Sequence, residues 1–404
     1  TLSDQVASQL GTDWNLEVDN DFAERVLGSV ESKDLELPEI LPASNLCDTC
    51  QVTSKNLWNL AFSVQYDAKR LEESARMSCD LCRLSWKTYQ RHTTIQVPTI
   101  TFERDGTFLK MNGDGPSVLS ICRSPGKMAK RITKFGFETK SYLSTRISPY
   151  IQIGYPGLFK ASSEAHLEII RQWLNLCDSD HSVTHSGTSS QSSLLPTRVI
   201  SVGVLGDQKV HLLETGPKDH GEWIALSHQW GNGNQFCTTT RNREAHINGI
   251  DFDSLPDTFK HAVVVTRALG RPYLWIDSLC IIQGKDGDFN QEAKNMERVY
   301  SGAYCVLASS RSPGHYAGFL KNSRNPRDTV VLRQDKTSKP FYISEIIDNF
   351  GLHVLNGSLN KRGWVLQKHA LARRTVYFTD HQTYFECGDG VRCETMTKMT
   401  KQVP

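Results

Sequence analysis

The sequence predicts an α/β fold. A parallel sheet with helices on both faces is expected in the C-terminal half, preceded by an α+β N-terminal region. Three observations carry this. First, Trp223–Ser227, Tyr273–Ile282 and Tyr304–Ser309 are apolar runs of strand length, as expected of strands buried on both faces. Second, Pro256–Ala268 and Glu292–Val299 lie between or beside these runs with helical spacing, and strand–helix alternation implies parallel pairing. Third, the pattern changes in the N-terminal half, where helical spacing over residues 57–92 gives way to alternating segments over 95–124.

Residues 1–44 are acidic and end in Pro38 and Pro42, so they read as an arm with a short helix around Asp21–Leu27. Residues 45–180 form the α+β region. Leu57, Leu60, Ala61 and Val64, then Leu71, Ala75 and Met77, mark helix faces. Ile95–Phe102, Thr107–Met111 and Ser117–Cys122 alternate around turns at Asp105-Gly106 and Gly113-Asp114-Gly115, which predicts a small antiparallel sheet. Ala165–Cys177 carries an apolar helical face of Ile169, Ile170, Trp173, Leu174 and Leu176. Residues 181–195, rich in Ser, Thr and Gly, are expected to be a linker or surface loop. Residues 196–404 are the α/β unit, opening with two short strands, Arg198–Val204 and Lys209–Glu214, around Gly206-Asp207. Asp253 or Ser254 is available to cap the helix at 256–268.

With 404 residues the chain can bury a large core. A net charge of +2 gives no footprint for nucleic acid. No apolar run reaches the roughly 18 residues that a membrane-spanning helix requires. Thr1-Leu2-Ser3-Asp4 shows no basic and apolar leader pattern, so no secretion signal is expected. The 11 cysteines, an odd number, point to reduced thiols and a cytoplasmic location.

Several blocks resemble one family. Trp223-Ile-Ala-Leu-Ser-His-Gln-Trp-Gly231, Leu255-Pro-Asp-Thr-Phe259, Tyr273–Gln283, Asp288–Glu292, Arg362–Gln367 and Phe385-Glu-Cys387 follow one another as in fungal heterokaryon-incompatibility (HET) domains. Segments around Cys47–Cys50, Cys79–Cys82, Trp173–Cys177 and Leu195–Arg198 are similar to regions that often precede that domain. Lys368 is a departure, because the family's closing block usually continues from Gln367 with a glutamate.

The resemblance implies an effector of fungal non-self recognition and regulated cell death, with protein partners or self-association. HET domains have been proposed as distant relatives of TIR domains. That kinship implies a flavodoxin-like sheet and an NAD glycohydrolase activity, with NAD as substrate and a helix-start glutamate as the catalytic group. Two other readings stand beside it. One is a non-enzymatic interaction and oligomerisation module, and the other a HET-like enzyme recruited to small-metabolite biosynthesis.

Ligand sites in open α/β sheets form beyond the C-terminal ends of parallel strands. Glu292, His228 and Asp277 are therefore the candidate catalytic residues. Ser227, Trp230, Asp288, Arg362 and Gln367 are the candidate substrate-binding residues for a nucleotide or small molecule. Glu292 can stabilise a developing oxocarbenium centre, and Arg362 can bind phosphate bidentately. The structural alternatives are that Asp288 caps a helix, Glu292 pairs with Arg298 or Arg267, Trp230 is core, and Arg362 pairs with Asp277. Cys280 is either a nucleophile or inert packing.

Cys47-x-x-Cys50 and Cys79-x-x-Cys82 have the pair spacing of a structural zinc site. Cys177, His181 and His185 offer a second ligand set, and half-buried free thiols are the alternative to both.

Overall fold

A computed structural model describes residues 14–27, 42–57, 59, 61–113, 115–123, 151–156, 160–180, 193–233, 235–321, 329–333, 340–357, 359 and 371–401. Trp14–Val18 is the first strand, β1, and Asn20–Leu27 the first helix, α1. Three helices follow, α2 (Asp48–Asn56) before strand β2 (Ser63–Asp67), then α3 (Ala68–Arg76) and α4 (Asp80–His92), and of these α2 and α4 start at the paired cysteines. Asp67 caps α3 by accepting the amide of Arg70. The expected helical face at Leu57–Val64 is interrupted by β2, because Val64 and Tyr66 pair with Phe102 and Ile100 of the neighbouring strand. Pairing here overrides local spacing.

The alternating segments form β3 (Thr99–Asp105), β4 (Phe108–Met111) and β5 (Ser117–Arg123), joined by antiparallel pairing. A short strand, β6 (Gln152–Ile153), runs parallel to β5. The helix expected at 165–177 extends over Glu164–Asp180 as α5. Its Trp173 stacks on Phe385 at 6.0 Å between ring centroids.

Ser193–Leu194 (β7) pairs with His220–Gly221, and Arg198–Ser201 (β8) pairs with Lys209–Glu214 (β9). Residues 181–192 of the expected linker lie outside the described residues. After His220–Gly221 (β10) come β11 (Trp223–Ser227), α6 (Arg243–Asn248), β12 (Ile250–Asp251) and α7 (Asp257–Ala268). Pro256, not Asp253 or Ser254, occupies the cap position of α7.

The long strand expected at Tyr273–Ile282 stops early. Only Tyr273–Trp275 is strand, β13, and Asp277–Cys280 turns into a short helix, α8. Helix α9 (Phe289–Gly302) and strand β14 (Cys305–Ala308) follow. The remaining strands are β15 (Thr329–Leu332), β16 (Phe341–Glu345), β17 (Thr375–Phe378), β18 (Thr383–Cys387), β19 (Gly390–Cys393) and β20 (Thr397–Lys401).

These strands overturn the expected fold class. The large sheet has the order β1-β20-β19-β18-β17-β14-β11-β13-β8-β9-β12. Only β13–β11, β11–β14 and β14–β17 are parallel pairs, and every other neighbouring pair in it is antiparallel. A flavodoxin- or TIR-like parallel core is therefore not what this chain builds. The reason is connectivity. Short turns return β17 to β20 as adjacent antiparallel strands, and short connections permit nothing else.

The second sheet, β15-β16-β5-β4-β3-β2, is antiparallel apart from β6. Its core includes Cys50, Leu71, Leu84, Phe102, Ile121 and Ile343. Ser44 ties the N-terminal segment to β15 by two hydrogen bonds with Val331, each 2.9 Å.

Candidate functional site

Strands β11, β13 and β14 run in one direction, so their C-terminal ends reach one edge. Ser227 ends β11, Ser309 follows β14, and Asp277 and Ser278 begin α8 just beyond β13. The Ser309 amide donates to the Ser227 carbonyl at 2.9 Å, which holds the two ends together. Asp277 Oδ1 accepts two hydrogen bonds, from Trp230 Nε1 at 3.1 Å and from the Ser278 amide at 2.8 Å.

Two imidazoles lie at this edge. His228 packs edge-on against Phe259, and its ring centre is 5.0 Å from that of His315. Both are buried. Burial pulls His315 below the usual histidine range, against the opposing pull of the Asp277 carboxylate, so it is neutral at neutral pH. His315 Nδ1 accepts the Phe236 amide at 3.4 Å, which leaves the ring proton on Nε2. That Nε2 and the hydroxyls of Ser227, Ser278 and Ser309 are buried without a hydrogen-bond partner among the described residues.

Trp230 is half-buried and its ring lies 5.8 Å from His315. The loop after it meets the loop at Pro313–Gly314. A Cβ on Gly231 would lie 3.0 Å from the Gly314 Cα and from the Pro313 carbonyl, and Gly231 has φ +78°. Glycine is needed there on both counts.

Glu292 and Asp288 belong to a different constellation. Arg198, buried on β8, donates from Nε to the Cys280 carbonyl at 2.7 Å and forms an ion pair with Asp288. The other Asp288 oxygen accepts the Ile282 amide at 2.9 Å. Glu292 is 4% exposed, and its Oε1 accepts the Thr197 hydroxyl at 2.9 Å. Together these contacts fasten the start of α9 to β8 and the end of α8. Asp288 occupies the cap position of α9 but makes no side-chain capping bond. Burial pushes the Cys280 thiol up to about 12, which leaves it protonated and a poor nucleophile. Arg362 and Gln367 lie outside the described residues.

Of the residues singled out in the sequence, Ser227, His228, Trp230 and Asp277 lie at this edge, whereas Ser309, His315 and the clasp made by Arg198 were not among the candidates. The signal for Ser309 was its place directly after an apolar strand. His315 had none, because it reaches the edge through the Pro313-Gly314 turn.

The thiol cluster is formed locally by two helix starts. Cys47 and Cys79 each precede a helix, and Cys50 and Cys82 lie in the first turns of α2 and α4. The four Sγ atoms all lie within 4.8 Å of one another. Cys50 and Cys82 are 3.4 Å apart, and Cys47 and Cys82 3.8 Å. Tetrahedral thiolates about 2.3 Å from a zinc ion are about 3.8 Å apart, so the donor set fits a metal ion. Hydrogen bonds from Cys50 and Cys82 hold the Cys79 thiol far below its usual range, and the same contact pushes Cys50 far above it. Among the described residues this is the one such cluster of metal-binding groups. Cys177, of the alternative ligand set, is buried in α5 beside Cys387, and His181 and His185 lie outside the described residues.

The polar edge lies in a protein of mixed, mostly antiparallel sheets and helices, and its site-forming residues fall between β11 and the loop after β14. Residues 223–368 match the family model described as Heterokaryon incompatibility protein (HET). That segment holds most of the sequence blocks that resemble HET domains. No curated protein and no solved structure matches it. No helix among the described residues is long and apolar enough to cross a membrane.

Proposed function

We propose that this chain is a HET-domain effector of fungal non-self recognition and regulated cell death, and that the edge formed by β11, β13 and β14 receives its ligand. One observation carries the reading. Ser227, His228, Asp277, Ser309 and His315, which make that edge, all lie within the segment that matches the HET family. Protein partners or self-association in the cytoplasm would transmit the response. We further read the four-thiol cluster as a structural zinc site that holds α2 and α4 together.

NAD is a candidate substrate at the same edge. Asp277 is the carboxylate placed there, while Glu292 is engaged with Thr197. In a fungal host, expression of the whole chain should arrest growth. Asp277→Asn and His315→Gln should relieve the arrest at equal protein level, and equal toxicity would remove the edge from the function. The enzymatic branch is read separately as nicotinamide released from NAD by purified protein. Asp277→Asn should abolish release and Glu292→Gln should only weaken it through packing. The reverse order would return the catalytic role to Glu292.

A further inference from the structure

Buried polar groups in folded proteins nearly always have partners, and each exception calls for an explanation. Here four exceptions lie on segments that reach one edge of the sheet. The hydroxyls of Ser227, Ser278 and Ser309 and the Nε2 of His315 are all buried, with residue exposures of 3% or less, and none has a partner among the described residues. They come from the end of β11, the start of α8, the residue after β14 and the loop that holds His315, so no single local irregularity produces them. An unsatisfied buried donor or acceptor costs about 1–3 kcal/mol, so the group carries a shared destabilisation that a bound molecule would relieve.

The chemistry of the donors narrows the ligand. His315 Nε2 is a donor, because Nδ1 already accepts the Phe236 amide. The three hydroxyls can each donate and accept. Asp277 is an acceptor and brings negative charge, while burial keeps His315 neutral. A free anion matches this set poorly, since Asp277 would repel it. A group that both donates and accepts through several oxygens matches it well. The half-buried Trp230 ring beside His315 adds an apolar wall of the sort that small-molecule sites combine with a few placed polar groups.

We propose that the edge made by Ser227, Ser278, Ser309, His315, Asp277 and Trp230 binds the hydroxyl-bearing sugar of a nucleoside or nucleotide. This rests on placing the ligand at the strand edge and names the part of the ligand recognised there. The loops after β11 and β14 meet beside this edge at Gly231 and Gly314.

The test uses a trade-off. Removing a hydroxyl that lacks a partner should not destabilise the free protein, while removing a ligand contact must weaken binding. Ser278→Ala and Ser309→Ala are made in the whole chain, and thermal unfolding is followed with and without adenosine and NAD as probes. The free variants should melt at or above the wild-type temperature. The probes should raise the wild-type Tm and do so much less in the variants, with at least about ten-fold weaker binding by calorimetry. Three outcomes would overturn the proposal. The wild type could show no shift with saturating probe, or the variants could bind as wild type does. The free variants could instead melt several degrees lower, which would mean that the hydroxyls hold buried water as structure. Growth arrest in the host that survives in a protein without probe binding would leave the effector reading standing and remove only the sugar.

Discussion

Cys47 and Cys79 stand directly before helix N-termini, where the exposed amides favour negative charge. The Cys47 amide itself donates to Cys79 Sγ at 3.4 Å. Four thiols packed this closely cannot all ionise unless a cation balances them. Purified protein should therefore hold about one zinc per chain, since a tetrathiolate site is closed and structural. Cys50→Ser or Cys82→Ser should lose the metal and lower the melting temperature by many degrees, because structural zinc contributes folding free energy directly. Metal analysis together with calorimetry checks both. Metal-free wild-type protein of unchanged stability would refute the site. The pairing of the two Cys-x-x-Cys segments was legible in the spacing, but their approach across residues 51–78 was not. That approach needs α2 and α4 to start side by side, where the Cys47 amide meets Cys79 Sγ.

At the scale of elements, the strand–helix order was readable and the ends of elements were not. Trp223–Ser227 formed the expected strand because all five residues are buried. The run at Tyr273–Ile282 looks like one strand, yet it turns after Ile276, where Asp277 accepts the amide of Ser278 and starts a helical turn. Periodicity cannot separate a buried strand from a buried helix turn in so short a run.

The turn that joins β17 to β18 gives a pH prediction. His381 in that turn stacks on His353 at 3.8 Å between ring centres, and His353 Nδ1 lies 2.6 Å from the Tyr384 hydroxyl. Burial, and then His381, lower His353 to about 3 from an ordinary value of 6.5. As pH falls below about 6.5 the unfolded chain takes up this proton and the folded chain does not. The contribution is complete above that value and is lost progressively as pH approaches 3. Urea unfolding at stepped pH should show stability falling by up to about 1.4 kcal/mol per pH unit from this one group. His353→Gln should reduce that slope, and an unchanged slope would assign the acid sensitivity to other titrating groups.

Across the whole molecule, the HET-matched segment is not a free-standing unit. Its strands β15 and β16 lie in the second sheet, where β16 pairs with β5. Its strands β13 and β14 are flanked by β8 and β17, both outside residues 223–368. A fragment of residues 223–368 should therefore show no cooperative thermal transition, while the whole chain unfolds cooperatively. Exposed edges on both sides of the parallel strands would also make the fragment prone to association. A sharp calorimetric transition in the fragment would contradict this.

Composition, periodicity and motif order in the sequence by themselves determined the resemblance that residues 223–368 bear out, most helices and strands, and the spacing of the four cysteines that come together. These are local properties, set by side-chain spacing and by what each residue can bond. Tertiary structure alone decided which strands became neighbours, and that made the sheet mixed where the sequence suggested parallel. It also put Arg198 against Asp288, Thr197 against Glu292, and His315 beside His228. Those pairings join residues far apart in the chain. Their geometry depends on the free energy of burying both sheets at once, which no local pattern encodes.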